Sequence, residues 1–270
     1  MWSEKIMTVL LAIEGLFIGT LLGLTGAGGG ILAIPILMWS QDWNVTQAAP
    51  VALVAITISS GIATFQGLIE KTVRYKAAMW IAILSLPSIY LGIYLSKILP
   101  VHILTILLCI VMLFIGLRSI FSQNCSPHHK VLCPVNEETG RFIWCAKTRL
   151  SLGTIGIFSG FLTGLLGVGG GFVITPSLQK MTNLKFYSIT NTSLMVIFLI
   201  GSSTVFLRIT EGYKYPHAET IAFTITCIFG LMLGRLLCKY ISSHILKIIF
   251  SSTLIFVSLI LGYKTIGYIY

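Results

Sequence analysis

The stretch Phe17-Ile-Gly-Thr-Leu-Leu-Gly-Leu-Thr-Gly-Ala-Gly-Gly-Gly-Ile-Leu-Ala-Ile-Pro35 returns 141 positions later as Phe158-Ser-Gly-Phe-Leu-Thr-Gly-Leu-Leu-Gly-Val-Gly-Gly-Gly-Phe-Val-Ile-Thr-Pro176. Each copy is an apolar run that ends in glycines, at Gly26, Gly28, Gly29 and Gly30 and again at Gly167, Gly169, Gly170 and Gly171, with a proline five residues on. The correspondence extends outward. Leu53 matches Leu194 at the same offset, and Tyr75 matches Tyr215 one residue shorter. Gly92, Lys97 and His102-Ile-Leu104 match Gly234, Lys239 and His244-Ile-Leu246 one residue longer, so each half reads as one copy of a repeated unit. Lys5 ahead of an apolar run and the small residues around Ala27 imitate a signal peptide, but a stretch repeated deep inside the chain is structure rather than a targeting tag.

Around these copies the 270 residues are 56% hydrophobic and only 10% charged, with a mean hydropathy of +0.94. That composition describes a polytopic membrane protein. The 26 glycines follow no short period, which excludes a collagenous chain. The net charge of +10 is loop charge that sets orientation and meets anionic headgroups of the lipid bilayer. It does not gather into a basic face, so no nucleic-acid partner is expected.

At about 20 residues per crossing, spans run from about residue 6 into the glycine stretch and then over 45–68, 77–96, 101–117, 150–169, 186–207, 217–238 and 245–263. The expected fold is all-α: eight transmembrane helices as two four-helix repeats, each with a broken glycine-rich first segment. Residues 1–121 form the first repeat, 122–149 a cytoplasmic linker and 150–270 the second repeat. Because four is even, both copies enter from the same side, about a pseudo-twofold axis along the membrane normal. Were 31–39 and 172–181 full crossings, each half would have five spans and the halves would be inverted; they read as too short for that. With a cytoplasmic N-terminus, all but six of the 18 basic residues lie inside, the exceptions being Lys97, Lys180, Lys185, Arg235, Lys239 and Lys247. The positive-inside rule then predicts a multi-pass protein of the cell membrane with both termini in the cytoplasm.

Glycine runs break helices. In a bilayer, a broken backbone is tolerated only where protein or a water-filled cavity satisfies its freed groups, so the two breaks are expected to line an internal site. Their N–H groups allow close approach, and a half-helix that starts after the glycines aims its positive end at the same place. The natural guest is a small anion. Close helix packing and a simple kink are the competing readings; packing is preferred for Gly19, Gly23, Gly160 and Gly164. No Lys-Ser/Thr pair follows either motif, and the Rossmann spacing is absent, so neither is a nucleotide loop.

Gly-x-Gly-Gly-Gly followed by apolar residues and a proline, twice, each copy opening a repeat, resembles the sulfite exporter TauE/SafE family of membrane transporters. The resemblance covers nearly the whole chain outside 122–149. It implies movement, usually export, of small sulfur-containing anions such as sulfite, thiosulfate or organosulfonates. The second repeat carries Asn191-Thr-Ser-Leu194 where the first has Pro50-Val-Ala-Leu53, and the family often shows a Thr-Ser there.

Asn191, Thr192 and Ser193 could offer hydrogen bonds to anion oxygens from one turn, or bond their own helix carbonyls. Glu14, halfway along the first span, is the candidate for proton coupling, the other reading being a structural carboxylate. Glu219 sits near a span end, where it can snorkel. Thr57, Ser59, Ser60 and Gln66 read as interhelical glue or pore lining. Arg235 reads as an anion counter-charge or as a snorkelling side chain. Cys125, Cys133, Cys145, His128 and His129 in the linker fit no usual zinc spacing, so no metal and no cofactor is expected. A membrane-embedded enzyme acting on an anionic lipid would need a cluster of acids, histidines and hydroxyls that the sequence lacks, and no catalytic residue is assigned. An anion channel and a homo-oligomer remain open.

Overall fold

Gly26 and Gly167 end two long helices in the same way. Each stands at φ +72°, a left-handed backbone that side chains disfavour. Each N–H closes the last turn on the carbonyl four residues back, Leu22 and Thr163, at 2.8 Å in both cases. The computed structural model describes residues 2–26, 29–121, 145–182, 184, 186–213, 215–238 and 243–267. Its helices are α1 (Trp2–Thr25), α2 (Gly29–Ser40), α3 (Val45–Ile69), α4 (Tyr75–Ile98), α5 (Val101–Phe121), α6 (Ala146–Leu166), α7 (Gly171–Met181), α8 (Phe186–Thr210), α9 (His217–Leu237) and α10 (Ser243–Gly267). Among the described residues there is no strand.

Among the described residues six helices, α3, α4, α5, α6, α8 and α9, are long and apolar enough to cross a membrane. Their outward faces carry large apolar rings in the open, among them Tyr90, Phe114, Phe158, Phe206 and Phe229. In water such a surface would aggregate; against lipid it is the expected one. α2 behaves differently. Gly29 to Pro35 and Leu37 are all buried, so this helix is apolar on every side because protein surrounds it. With 12 residues in α2 and 11 in α7, each is only about 17–18 Å long at 1.5 Å per residue, well short of a hydrocarbon core of about 30 Å.

Helix directions follow from side-by-side residues. A Cβ on Gly19 would meet the Cys227 and Leu231 backbone and one on Gly23 the Gly234 backbone, so α1 and α9 run parallel. Gly156 backs onto Ile81 and Gly164 onto Ile89, so α6 and α4 run parallel. These are the most extensive helix pairings in the fold, and small residues make them possible by letting backbones meet. Cys227 lies beside Ser59, and Arg235 reaches Ala63, which makes α3 parallel to α9 and hence to α1. α8 runs the other way: Gly61 faces Phe198, Gly67 faces Asn191, and Gly201 faces Thr57. α4 is parallel to α8, tied at one end by the Arg74 amide donating to Thr192 Oγ1 and at the other by Lys97 with Glu211.

Since α1 and α3 point the same way, α2 and residues 41–44 must return the chain to the end from which α1 set out. This corrects the expectation that the halves enter from one side about an axis along the membrane normal. Short as they are, α2 and α7 each reverse the chain, and five reversing segments per half turn the second half upside down relative to the first. The end of α5 and the start of α6, which bracket residues 122–144, therefore lie at the opposite end of the bundle from the start of α1 and the end of α10. The expectation of both termini and the linker on one side does not fit these helix directions.

Candidate functional site

The two glycine turns come together. A Cβ on Gly30 would stand 3.0 Å from the Val168 carbonyl oxygen, with Ile56 of α3 at 3.1 Å. Gly169, at φ +75°, has Ile56 and Ile197 of α8 at 3.6–3.7 Å from the same point, which is ordinary contact distance. The first residues of α2 and α7 thus meet between the crossing midsections of α3 and α8. Helix starts carry N–H groups with no intrahelical partner, so two positive helix ends converge at this junction. Gly170, at φ +63°, caps α7 and backs onto Ser159 and Thr163 of α6. Gly171 opens α7 and is buried. Gly29 has a different neighbour: its Cβ would lie 2.6 Å from Ile18 O and 2.7 Å from Leu22 N, so it sets the approach of α2 to α1. Gly28 lies outside the described residues.

Asn191, Thr192 and Ser193 are all buried, and protein groups occupy their hydrogen bonds. Asn191 Nδ2 donates to Thr72 Oγ1 at 2.8 Å, and Thr192 Oγ1 donates to Ser188 O at 2.7 Å while accepting the Arg74 amide at 3.1 Å. Ser193 Oγ donates to the Gly26 carbonyl at 2.7 Å and accepts Thr175 Oγ1 from α7 at 3.0 Å. One serine therefore ties the first glycine turn to α8 and α7. Ala52 is its counterpart in α3 and has no hydroxyl to offer Gly167, which gives the Thr-Ser difference between the repeats a physical meaning. Sequence reasoning named Thr57 as glue or pore lining but missed Ser159 and Thr190 among the hydroxyls left over. Among the described residues, Thr57 Oγ1, Ser159 Oγ and Thr190 Oγ1 are buried without a partner, and Ser159 and Thr190 stand against Gly170 and Gly26. The available signal was adjacency: Thr190 directly precedes Asn191, and Ser159 lies within the repeated stretch.

Glu14 sits on α1 with the end of α2 against it: Ser40 Oγ donates to Glu14 Oε2 at 2.9 Å, and Gln41 Nε2 reaches Ser40 Oγ at 3.4 Å. α2 is thereby a rod with the glycine junction at one end and the Glu14 carboxylate at the other. Arg235 neither snorkels nor faces the junction. Its side chain is 10% exposed, donating to Ala63 O at 2.9 Å and to Tyr187 OH at 3.1 Å, with Glu70 at 4.0 Å. Glu219 lies in the first turn of α9, where a carboxylate suits the positive helix end. Of the linker residues considered for metal, Cys125, Cys133, His128 and His129 lie outside the described residues.

Buried half-helices whose starts converge inside a bundle with an apolar outer surface are the arrangement that secondary membrane transporters build around their substrate sites. The comparisons with known proteins agree and are more specific. The family described as "Sulfite exporter TauE/SafE" matches residues 11–261, and the chain belongs to that family. It is 32% identical over 261 residues to a "Probable membrane transporter protein" of Methanocaldococcus jannaschii, covering 91% of each chain. It is 26% identical over 260 residues to "Probable membrane transporter protein YjnA" of Bacillus subtilis, covering 92% of this chain and 97% of that one. A third similarity, 27% over 128 residues, is to "Sulfite exporter TauE/SafE family protein 1" of Arabidopsis thaliana and covers 47% of this chain and 28% of that one. No solved structure matches.

Proposed function

We propose that the protein is a secondary transporter that exports a small sulfur-containing anion of the sulfite, thiosulfate or organosulfonate class, bound where the two glycine turns meet. The apposition of Gly30 with Val168 carries this reading, because it brings the positive starts of α2 and α7 to one point between α3 and α8. The backbone of Gly26, Gly28, Gly29 and Gly30 and of Gly167, Gly169, Gly170 and Gly171 shapes the site, with the spare hydroxyls of Thr57, Ser159 and Thr190 as further donors. Asn191, Thr192 and Ser193 serve it by fixing the first turn and the start of α8. Glu14 couples transport to protons: gain or loss of its proton changes the hold on Ser40 and so moves α2 at its other end.

Eight helices make full crossings, and α2 and α7 enter from opposite sides as half-length segments. Counted by helix end, only Lys5, Lys97, Arg208, Lys214 and Lys264 of the 18 basic residues belong to the end where α1 begins. The positive-inside rule then puts the other end, with residues 122–149, in the cytoplasm and both termini outside.

The test is flux of radiolabelled sulfite, thiosulfate and taurine in proteoliposomes, with and without a pH gradient. Saturable movement of at least one of them, accelerated by the gradient, is the expected result. Flux no faster than in protein-free vesicles for all three overturns the reading, and flux without saturation turns it into a channel.

A further inference from the structure

Arg208 projects from the last turn of α8, and Tyr215 stands in 211–216, the segment that leads to α9. Arg208 Nη2 donates to Gly164 O at 3.2 Å. Among the described residues, its Nε–H is sealed from solvent with nothing to donate to, and the Tyr215 hydroxyl is in the same position. Buried donors rarely stay unpaired, so two that share a neighbourhood mark a place for an acceptor. The Tyr213 amide donates to the Arg208 carbonyl at 3.0 Å, and the Arg208 charge acts on both the Tyr213 and Tyr215 phenols, which burial pushes up. Tyr213 meets Tyr215 edge-on, 5.0 Å between ring centroids, and spends its own O–H on Thr46 O at 3.3 Å. Thr46 lies in the first turn of α3, so a positive helix end adjoins the cluster. The nearby carboxylate, Glu211, is held by Lys97 at 3.0 Å.

The other end of the bundle also has a buried arginine, but Arg235 has its guanidinium committed to Ala63, Tyr187 and Glu70. At the Arg208 end, by contrast, the guanidinium Nε–H and the Tyr215 hydroxyl are left over among the described residues. Gly164 lies three residues before the turn at Gly167, so the cluster stands at the mouth of the second glycine turn. We propose that Arg208 and Tyr215 form a second oxyanion subsite there, which holds the transported anion on its way to or from the glycine junction. The subsite rests on the reading that small sulfur oxyanions are the cargo. A guanidinium can give Nε–H and a phenol O–H to two oxygens of one sulfite or sulfonate group.

Calorimetric titration of the detergent-purified protein with sulfite, thiosulfate and methanesulfonate tests this without relying on flux. Tyr215→Phe is expected to weaken binding about fivefold and Arg208→Gln tenfold or more, with Arg208→Lys in between because it keeps the charge without the Nε–H. Arg208 also holds Gly164, so Arg208→Gln can unsettle α6. Tyr215→Phe removes one oxygen atom and decides the matter alone. Wild-type affinity for all three anions in Tyr215→Phe overturns the subsite. If Tyr215→Phe loses affinity while Gly169→Ala binds as wild type does, the subsite stands and the junction fails as the binding place. If the wild type binds none of the three anions, subsite and cargo fall together.

Discussion

Glycines that look alike in the sequence do different work in the fold, and substitution separates them. Gly169 takes φ +75° but has room for a methyl group, whereas Gly29 has ordinary helical geometry and no room. Gly169→Ala should therefore fold and reach the membrane, losing about 1–2 kcal/mol to the left-handed backbone. Because the new methyl would occupy the junction, anion flux should fall at least tenfold. Gly29→Ala should instead push α2 off α1 and lower the unfolding temperature more. Heated size-exclusion chromatography beside the flux assay reads both, and full flux from Gly169→Ala would remove that residue from the site. The run of glycines was legible as a break because, proline apart, no residue makes a backbone so hard to keep helical. Which glycine packs and which faces the junction was not, since that depends on where α2 meets α1 and where α3 meets α8. Ser193 is a similar case: the sequence shows a hydroxyl, and only the fold shows that Gly26 O receives its proton.

α2 and α7 were the hardest elements to read, because length argued against crossing while connectivity required the chain to return. A polar connection such as 41–44 adds to the reach of a short buried helix, and hydropathy alone does not register that. What α2 joins can be tested through its two ends. Glutamine at position 14 keeps the shape of glutamate and an oxygen for Ser40 Oγ, but has no proton to exchange. Glu14→Gln should thus still move anion while losing the pH dependence of flux across a proteoliposome pH series. The repeat-equivalent residue is Ile155, so no second carboxylate can take over. An unchanged pH response would make Glu14 a structural partner of Ser40 and leave coupling to another group.

At the scale of the whole molecule, composition led directly to a helical membrane protein, and the duplicated motif to the expectation of two related halves. Their relative orientation did not follow, because parity turns on whether two half-length helices reverse the chain. Reporter fusions decide it: fusions after Lys76 and at Lys130 should report cytoplasm, and one at Tyr270 the opposite side. A cytoplasmic signal from Tyr270 together with Lys130 would contradict the helix directions themselves. The exchange of first and fourth helices between halves also bears on how the protein is made. α1 packs against α9, and 191 residues separate the end of one from the start of the other. At about 5–20 residues per second, translation leaves α1 in the bilayer for about 10–40 seconds before its partner exists. During that interval the notched face at Gly15, Gly19 and Gly23 has only lipid or the insertion machinery to lie against. The first helix to be synthesised is among the last to find its place, and a ribosome that stalls in the second half leaves behind an orphan for quality control rather than half a transporter.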